Sequence, residues 1–126
     1  MATWTSDDLD KIGRADELEI ASLRRDGTLG KPVTIWVVRH GDDLYVRSGY
    51  GLAAAWYRAT RVRHEGHIKA GGVEKDVFFF DADPAALNDQ IDAAYRTKYR
   101  RNGAEYLVDA IVAAEARSTT IKLVPR

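Results

Sequence analysis

Two adjacent glycines, Gly71 and Gly72, sit in the middle of "GHIKAGGVEKDVFFFD" (66–81), and they constrain the chain more than any other feature. Glycine accepts positive φ without a Cβ penalty. A Gly-Gly pair between two β-prone runs therefore specifies a two-residue hairpin turn of the primed type, whose twist suits antiparallel strands. The flanking runs read as strands over 66–70 and 73–81. In the second, Val73, Lys75, Val77 and Phe79 share one face, and Glu74, Asp76, Phe78 and Phe80 the other. Both faces turn apolar toward the end, as in a strand that enters a closed barrel.

Other segments extend this antiparallel pattern. "ELEIASL" (17–23) alternates and reads as a strand. Asp26-Gly27 and Gly30 supply turn signals before "PVTIWVVR" (32–39), whose β-branched and aromatic residues make it the strongest strand in the chain. "HGDD" is a tight turn, and "LYVRS" (44–48) returns. "STTIKLVP" (118–125) is a closing strand. Helices are expected from about Asp7 to Ala15, with Thr5 or Ser6 as cap and Trp4 as hydrophobic staple, and from about Ala53 to Arg61. A long helix starts at Asp83-Pro84 and ends near Asn102-Gly103, with Leu87, Ile91, Ala94, Tyr95 and Lys98 on its packed stripe. Residues 105–115 read as a shorter helical or irregular piece. With no parallel βαβ series and no repeat, the expected fold is α+β, mainly β: a six-stranded antiparallel barrel with helices outside, in a single domain over 1–126.

Charge and composition narrow the function. Nineteen basic and 19 acidic residues give a formal net charge of zero, so no general field draws the chain to nucleic acid or an anionic membrane; neither is expected as a partner. Any bound anion must be held by a local cluster. There are no cysteines, hence no disulfide framework and no thiolate zinc site. No apolar run approaches the roughly 18 residues of a membrane span, and "MATWTSDDLDKIG" does not read as a signal peptide. A cytoplasmic location is the expectation. In "RHEGH" the histidines His64 and His67 are three apart, not the four that place two ligands on one helix face, so no metal site is expected. "SGYG" lacks the glycine spacing of a nucleophile elbow, and Asp42, Asp43, Asp81 and Asp83 read as turn and cap residues.

Two places carry candidate chemistry. Arg24, Arg25 and Lys31 flank the Asp26-Gly27 turn and read either as a solvated hairpin tip or as an anion clamp beside a sheet. The joint "YVRSGYGLAAAWYR" (45–58) ends a strand in Arg47 and Ser48, and Gly49 and Gly51 permit close backbone approach. Backbone N–H groups at the start of the next helix suit an anion. Tyr50, Trp56 and Tyr57 either wall a flat ring or dock the helix on the barrel.

The ordered set "PVTIWVVRHGDDLYVRS", then glycines, then "AWYR", then "GHIKAGG" resembles the flavin- and deazaflavin-dependent reductases of split-barrel fold, a nitroreductase-like superfamily. The chain as a whole looks like a member of the domain-of-unknown-function 2255 family, with coverage from about Leu18 to Pro125. The resemblance implies a homodimeric, six-stranded FMN-binding split barrel with a phosphorylated tricyclic cofactor, FMN or a deazaflavin, beside the barrel. It places Lys31 and Thr34 on the hairpin that approaches the cofactor, Arg47, Ser48 and Gly49 where its phosphate is held, and Trp56 and Tyr57 on the helix that closes the site. On the oxidoreductase reading Tyr50, Trp56 and Tyr57 pack near the ring or substrate. Where the superfamily pattern has Asn-Leu after the Trp-Tyr pair, this chain reads Arg58-Ala59-Thr60, and Ala53 to Ala55 replace a usual proline. The implied function is an oxidoreductase passing hydride to a small organic acceptor. The alternative is a cofactor-free split barrel that binds a small ligand or serves as a dimeric structural protein. No catalytic acid or base is assigned.

Overall fold

Gly71 and Gly72 adopt φ of +58° and +83° and turn the chain between two long strands, as their lack of Cβ allows. A computed structural model places this hairpin in its context and describes residues 3–82, 84–100 and 105–126. In chain order the elements are α1 (Ser6–Arg14), β1 (Leu18–Ser22), β2 (Val33–Ile35), β3 (Val38–His40), β4 (Asp43–Val46), α2 (Ala55–Arg63), β5 (Glu65–Ala70), β6 (Val73–Asp81), α3 (Pro84–Tyr99), α4 (Glu105–Ile111), α5 (Ala114–Arg117) and β7 (Ile121–Pro125). A 3-10 turn at Gly51–Ala53 precedes α2. The expected cap at Asp83 and the expected helix end at Asn102-Gly103 lie outside the described residues. No helix among those described is long and apolar enough to cross a membrane.

All strands join one antiparallel sheet in the order β2-β1-β5-β6-β7-β4-β3. The fold is α+β, a curled half-barrel with helices packed against it. Seven strands stand where six are expected, because the run 32–39 is not one strand. Its first half, β2, pairs with β1 at one end of the sheet; its second half, β3, pairs with β4 at the other. Only Trp36 and Val37 lie between them. Four consecutive Cα atoms span at most about 11 Å, so this link draws both sheet edges together and forces the curl.

The break has a physical cause on α3. The Val37 N–H leaves the ladder and donates to the Tyr99 hydroxyl at 3.1 Å. The Val37 carbonyl accepts from Lys98 Nζ at 2.7 Å. The Tyr99 hydroxyl donates in turn to the Asp16 carbonyl at 2.8 Å. The Trp36 ring stacks on Tyr99 with centroids 4.0 Å apart and planes 7° from parallel. Both backbone groups of Val37 are thus satisfied, as a buried backbone requires.

Strand alternation sorts the core into two layers. Leu44 and Val46 of β4 point into the barrel with Leu18, Ile20, Ile68, Val77, Phe79, Ile121 and Leu123. Tyr45 of β4 and Val38 of β3 instead pack outward, against Ile91, Tyr95 and Tyr99 of α3 and Val108 and Ile111 of α4. Helix α1 closes one end of the barrel with Leu9 and Ile12. Thr5 caps it by accepting from the Asp8 N–H at 3.0 Å, and Trp4 joins Leu9 in the core as the staple.

Candidate functional site

The chain leaves β4 at Val46, and the next two residues point to opposite sides of the sheet. Arg47 goes outward beneath α3 and is only 1% exposed. A guanidinium so buried needs a counter-charge and a partner for each N–H. Its Nε donates to Thr120 Oγ1 at 2.9 Å, its Nη1 to Asp92 Oδ1 at 2.5 Å and to the Ile111 carbonyl at 3.3 Å, and its Nη2 to the Asn88 Oδ1 at 3.2 Å and carbonyl at 3.4 Å. The guanidinium also lies over the Tyr95 ring, 5.7 Å from its centroid. Asp92 accepts from Arg117 as well. Burial pushes the Asp92 carboxyl up, but hydrogen bonds from Arg117 and Arg47 outweigh it and hold the group below its usual range. All five Arg47 donors are therefore engaged inside the protein, tying the end of β4 to α3, α4 and the approach to β7.

Ser48 points the other way and is fully buried; its N–H donates to Thr119 Oγ1 at 2.8 Å, while its own hydroxyl has no hydrogen-bond partner among the described residues. Gly49 and Tyr50 then surface. Gly51 turns at φ +70°, a conformation that favours glycine, and faces the Glu115 side chain of α5. Helix α2 begins at Ala55 with no side-chain cap. Its Tyr57 faces the barrel core and its Trp56 is half-buried, edge-to-face with Tyr57 at 6.2 Å. The Tyr57 hydroxyl accepts from Arg61, which also forms a two-pronged pair with Asp81 at 2.7 and 2.9 Å.

This arrangement leaves a groove of about 310 Å³ between the β2–β3 link and α4. Thr34 and Trp36 form one wall, Leu107 and Ile111 the other, with Gly49, Tyr50 and Trp56 at the joint. Gly49 keeps the floor low: a Cβ there would lie 3.7 Å from the Ile111 side chain. Arg47 reaches the floor with its donors already taken. A second cavity of about 230 Å³ adjoins the first, sharing Val33 and Trp56, and carries Arg24 and Lys31 on its far side.

Of the expected site residues, Thr34, Arg47, Gly49, Tyr50 and Trp56 meet in one groove, and Lys31 lines the cavity next to it. Ser48 and Tyr57 line neither. The sequence reading missed Trp36, Leu107 and Ile111 as walls and Asp92 as the partner of Arg47. Leu107 and Ile111 stand four apart in the segment read as helical or irregular, and that spacing was the available signal. Asn88, Asp92 and Tyr95 likewise share a helix stripe with spacings of four and three.

Chemically the groove is an apolar and aromatic slot of the lower size typical of small-molecule sites. Tyr50 is the one exposed acid–base group along it, 82% exposed. The histidines lie elsewhere: His64 ends α2 with φ +55°, and His67 Nδ1 is 3.0 Å from Asp76 on the β5–β6 hairpin.

Residues 8–123 match the model of a family described as an uncharacterized protein conserved in bacteria, DUF2255. Among curated proteins, none matches the chain in sequence. Solved structures of other proteins share its fold, three of them as follows. A FAD-binding protein from Mesorhizobium loti is 12% identical, with 99% of this chain and 92% of that one covered at a TM-score of 0.59. HutZ, the heme storage protein from Vibrio cholerae, is 12% identical, with 93% and 86% covered at 0.59. An F420 reductase is 16% identical, with 93% and 90% covered at 0.51.

Proposed function

The chain belongs to the DUF2255 family, and from that premise we propose that it is a flavin- or deazaflavin-dependent oxidoreductase acting on a small organic acceptor. The observation that carries this reading is the slot between Trp36 on one side and Leu107 and Ile111 on the other, with Trp56 at the joint, which suits a flat ring. Its size and apolar walls fit the ring system, and the fold is one in which a FAD-binding protein and an F420 reductase are found. A bound flavin or deazaflavin supplies hydride chemistry, and the protein supplies binding and orientation.

The chain's own residues then divide the work. Trp36 and Trp56 hold the ring from the β2–β3 link and α2, Gly49 lets it approach the backbone, and Thr34 offers a hydroxyl from the edge strand. Tyr50 faces solvent at the mouth and packs against an acceptor as it arrives. Arg47 works from behind, holding α4 in place through the Ile111 carbonyl. Leu107 and Ile111 exclude water from one side of the slot. Tyr50, Leu52, Tyr106 and Leu107 leave an apolar rim exposed, and a homodimer that covers it completes the slot.

A cofactor-free ligand-binding barrel is the second reading. It is favoured by the engagement of Arg47 within the protein, which leaves the strand end without a free cation, and by a heme storage protein on the same fold. Thermal unfolding with riboflavin, FMN and a deazaflavin cofactor separates the two. Binding at a hundredfold excess over Kd adds about 2.7 kcal/mol of apparent stability. A saturable rise that Trp56→Ala abolishes supports the oxidoreductase. No rise with any ring moves the function to the second reading.

A further inference from the structure

The cavity on the far side of Trp56 has a different character from the ring slot. Arg24 and Lys31 line it from the β1–β2 connection, with Ser22 and Gly30 between them and Ala59 and Val62 of α2 opposite. Among the described residues neither Arg24 nor Lys31 forms an ion pair with a carboxylate, whereas Arg39, Arg47, Arg61, Arg63 and Arg117 each do. Asp26 is near Arg24, but its carboxylate caps the turn, accepting from the Thr28 N–H at 3.0 Å and hydroxyl at 2.7 Å. The same turn aims Arg24. One Nη1 donates to the Leu29 carbonyl at 3.1 Å and to Thr28 Oγ1 at 3.4 Å, which fixes the guanidinium while Nε and Nη2 make no hydrogen bond among the described residues. Gly30 is held close to β1 by donating to the Ser22 carbonyl at 2.8 Å; a Cβ there would lie 3.1 Å from that oxygen. Arg63 reaches the same turn from α2, its Nη1 3.3 Å from where a Gly27 Cβ would be.

We infer that this cavity is an oxyanion subsite, in which Arg24 and Lys31 hold a phosphate or carboxylate group beside the ring slot. The inference rests on the ring-slot reading for its relation to Trp56, but the anion site itself does not. It also relocates the anion: the charge at the strand end belongs to the Arg47–Asp92–Arg117 cluster, and the unengaged charge sits on the β1–β2 turn. Val33 and Trp56 border both spaces, so one ligand with a ring and a charged tail spans them, or two ligands share them.

The test titrates inorganic phosphate, riboflavin and FMN into the wild-type protein and into Arg24→Ala, Lys31→Ala and the double variant, at constant ionic strength, reading calorimetric binding and thermal midpoint. Both residues are exposed, so the variants keep the wild-type midpoint without ligand. Phosphate binding is expected in the wild type, with a loss of about tenfold or more for each charge-assisted contact removed. If the anion is the ring ligand's own tail, FMN binds more tightly than riboflavin only in the wild type. If it is a separate substrate, phosphate binds equally with riboflavin present, and FMN and riboflavin bind alike. Phosphate binding lost in the variants when no ring binds at all keeps the anion site and removes the ring slot. Phosphate that binds the wild type and the double variant equally, or neither, overturns the proposal.

Discussion

The segment from Val33 to His40 is richer in β-branched and aromatic residues than strand β6, yet β6 is a single strand and the richer segment is broken. The difference lies in what stands beside them. β6 has β5 along one side and β7 along the other, so its backbone groups meet ladder partners over its length. The 33–40 segment lies at a sheet edge at both ends, and between those edges its backbone is held by side chains of α3. One region is held by the ladder, the other by a helix. Edge strands with such anchors are where a sheet can bend and present a surface, and the groove beside α4 opens there.

That contrast can be broken most forcefully at Asp92. Asp92→Ala leaves Arg47 buried without its counter-charge, and a loss of about 3–5 kcal/mol is expected in chemical denaturation. A loss under about 1 kcal/mol would mean that Arg47 is not held as a pair. The ladder side has its counterpart in Gly66→Ala, where a Cβ would sit 2.1 Å from the Ala21 carbonyl and prise β5 from β1; about 3 kcal/mol is expected. Smaller in effect is Tyr99→Phe, which orphans the Val37 N–H and costs about 1–3 kcal/mol. Amide exchange sharpens all three. Asp92→Ala and Tyr99→Phe should raise exchange in residues 36–48 before the β5–β6 hairpin, and Gly66→Ala the reverse. Equal rises everywhere would make the two regions one cooperative unit.

The smallest effect is with pH. Burial lowers Lys98 to about 8. Between that value and the ordinary lysine range the unfolded chain holds a proton that the folded one has released, so stability rises with pH across that window. Burial also pushes Tyr95 and Tyr99 above their usual range, so the trend reverses once unfolded tyrosines ionise near pH 10. Lys98→Met should flatten the rise; a rise that persists assigns it to another group.

The hairpin at Gly71-Gly72 was legible because its determinants are local: two positive-φ residues and alternating neighbours. The cap and staple at Trp4 and Thr5 were legible for the same reason. The break at Trp36–Val37 was not, since nothing within the run reveals that Lys98 and Tyr99 will take its polar groups. Arg47 shows the same limit at the site. A basic residue beside glycines reads as an anion ligand, but the carboxylate that engages it arrives from α3, on a helix face that alone looks solvated. Thr34, Tyr50 and Trp56 line the groove because a strand edge, a loop and a helix start expose side chains whatever packs behind them. The paired cations at Arg24 and Lys31 stayed ambiguous until the turn geometry showed which way Arg24 is aimed.

The place of β7 carries a consequence for how the molecule is made. It lies between β6 and β4, so neither has its inner partner until residues 121–125 emerge. Trp4 waits too, since its indole donates to the Leu123 carbonyl at 2.9 Å. On the ribosome, then, β4 and β6 present two open strand edges until β7 is made, and the assembly completes through pairings distant in sequence, which are slow to form. Such edges invite pairing with other chains. Nascent chains of this topology should lean on a holding chaperone until β7 arrives.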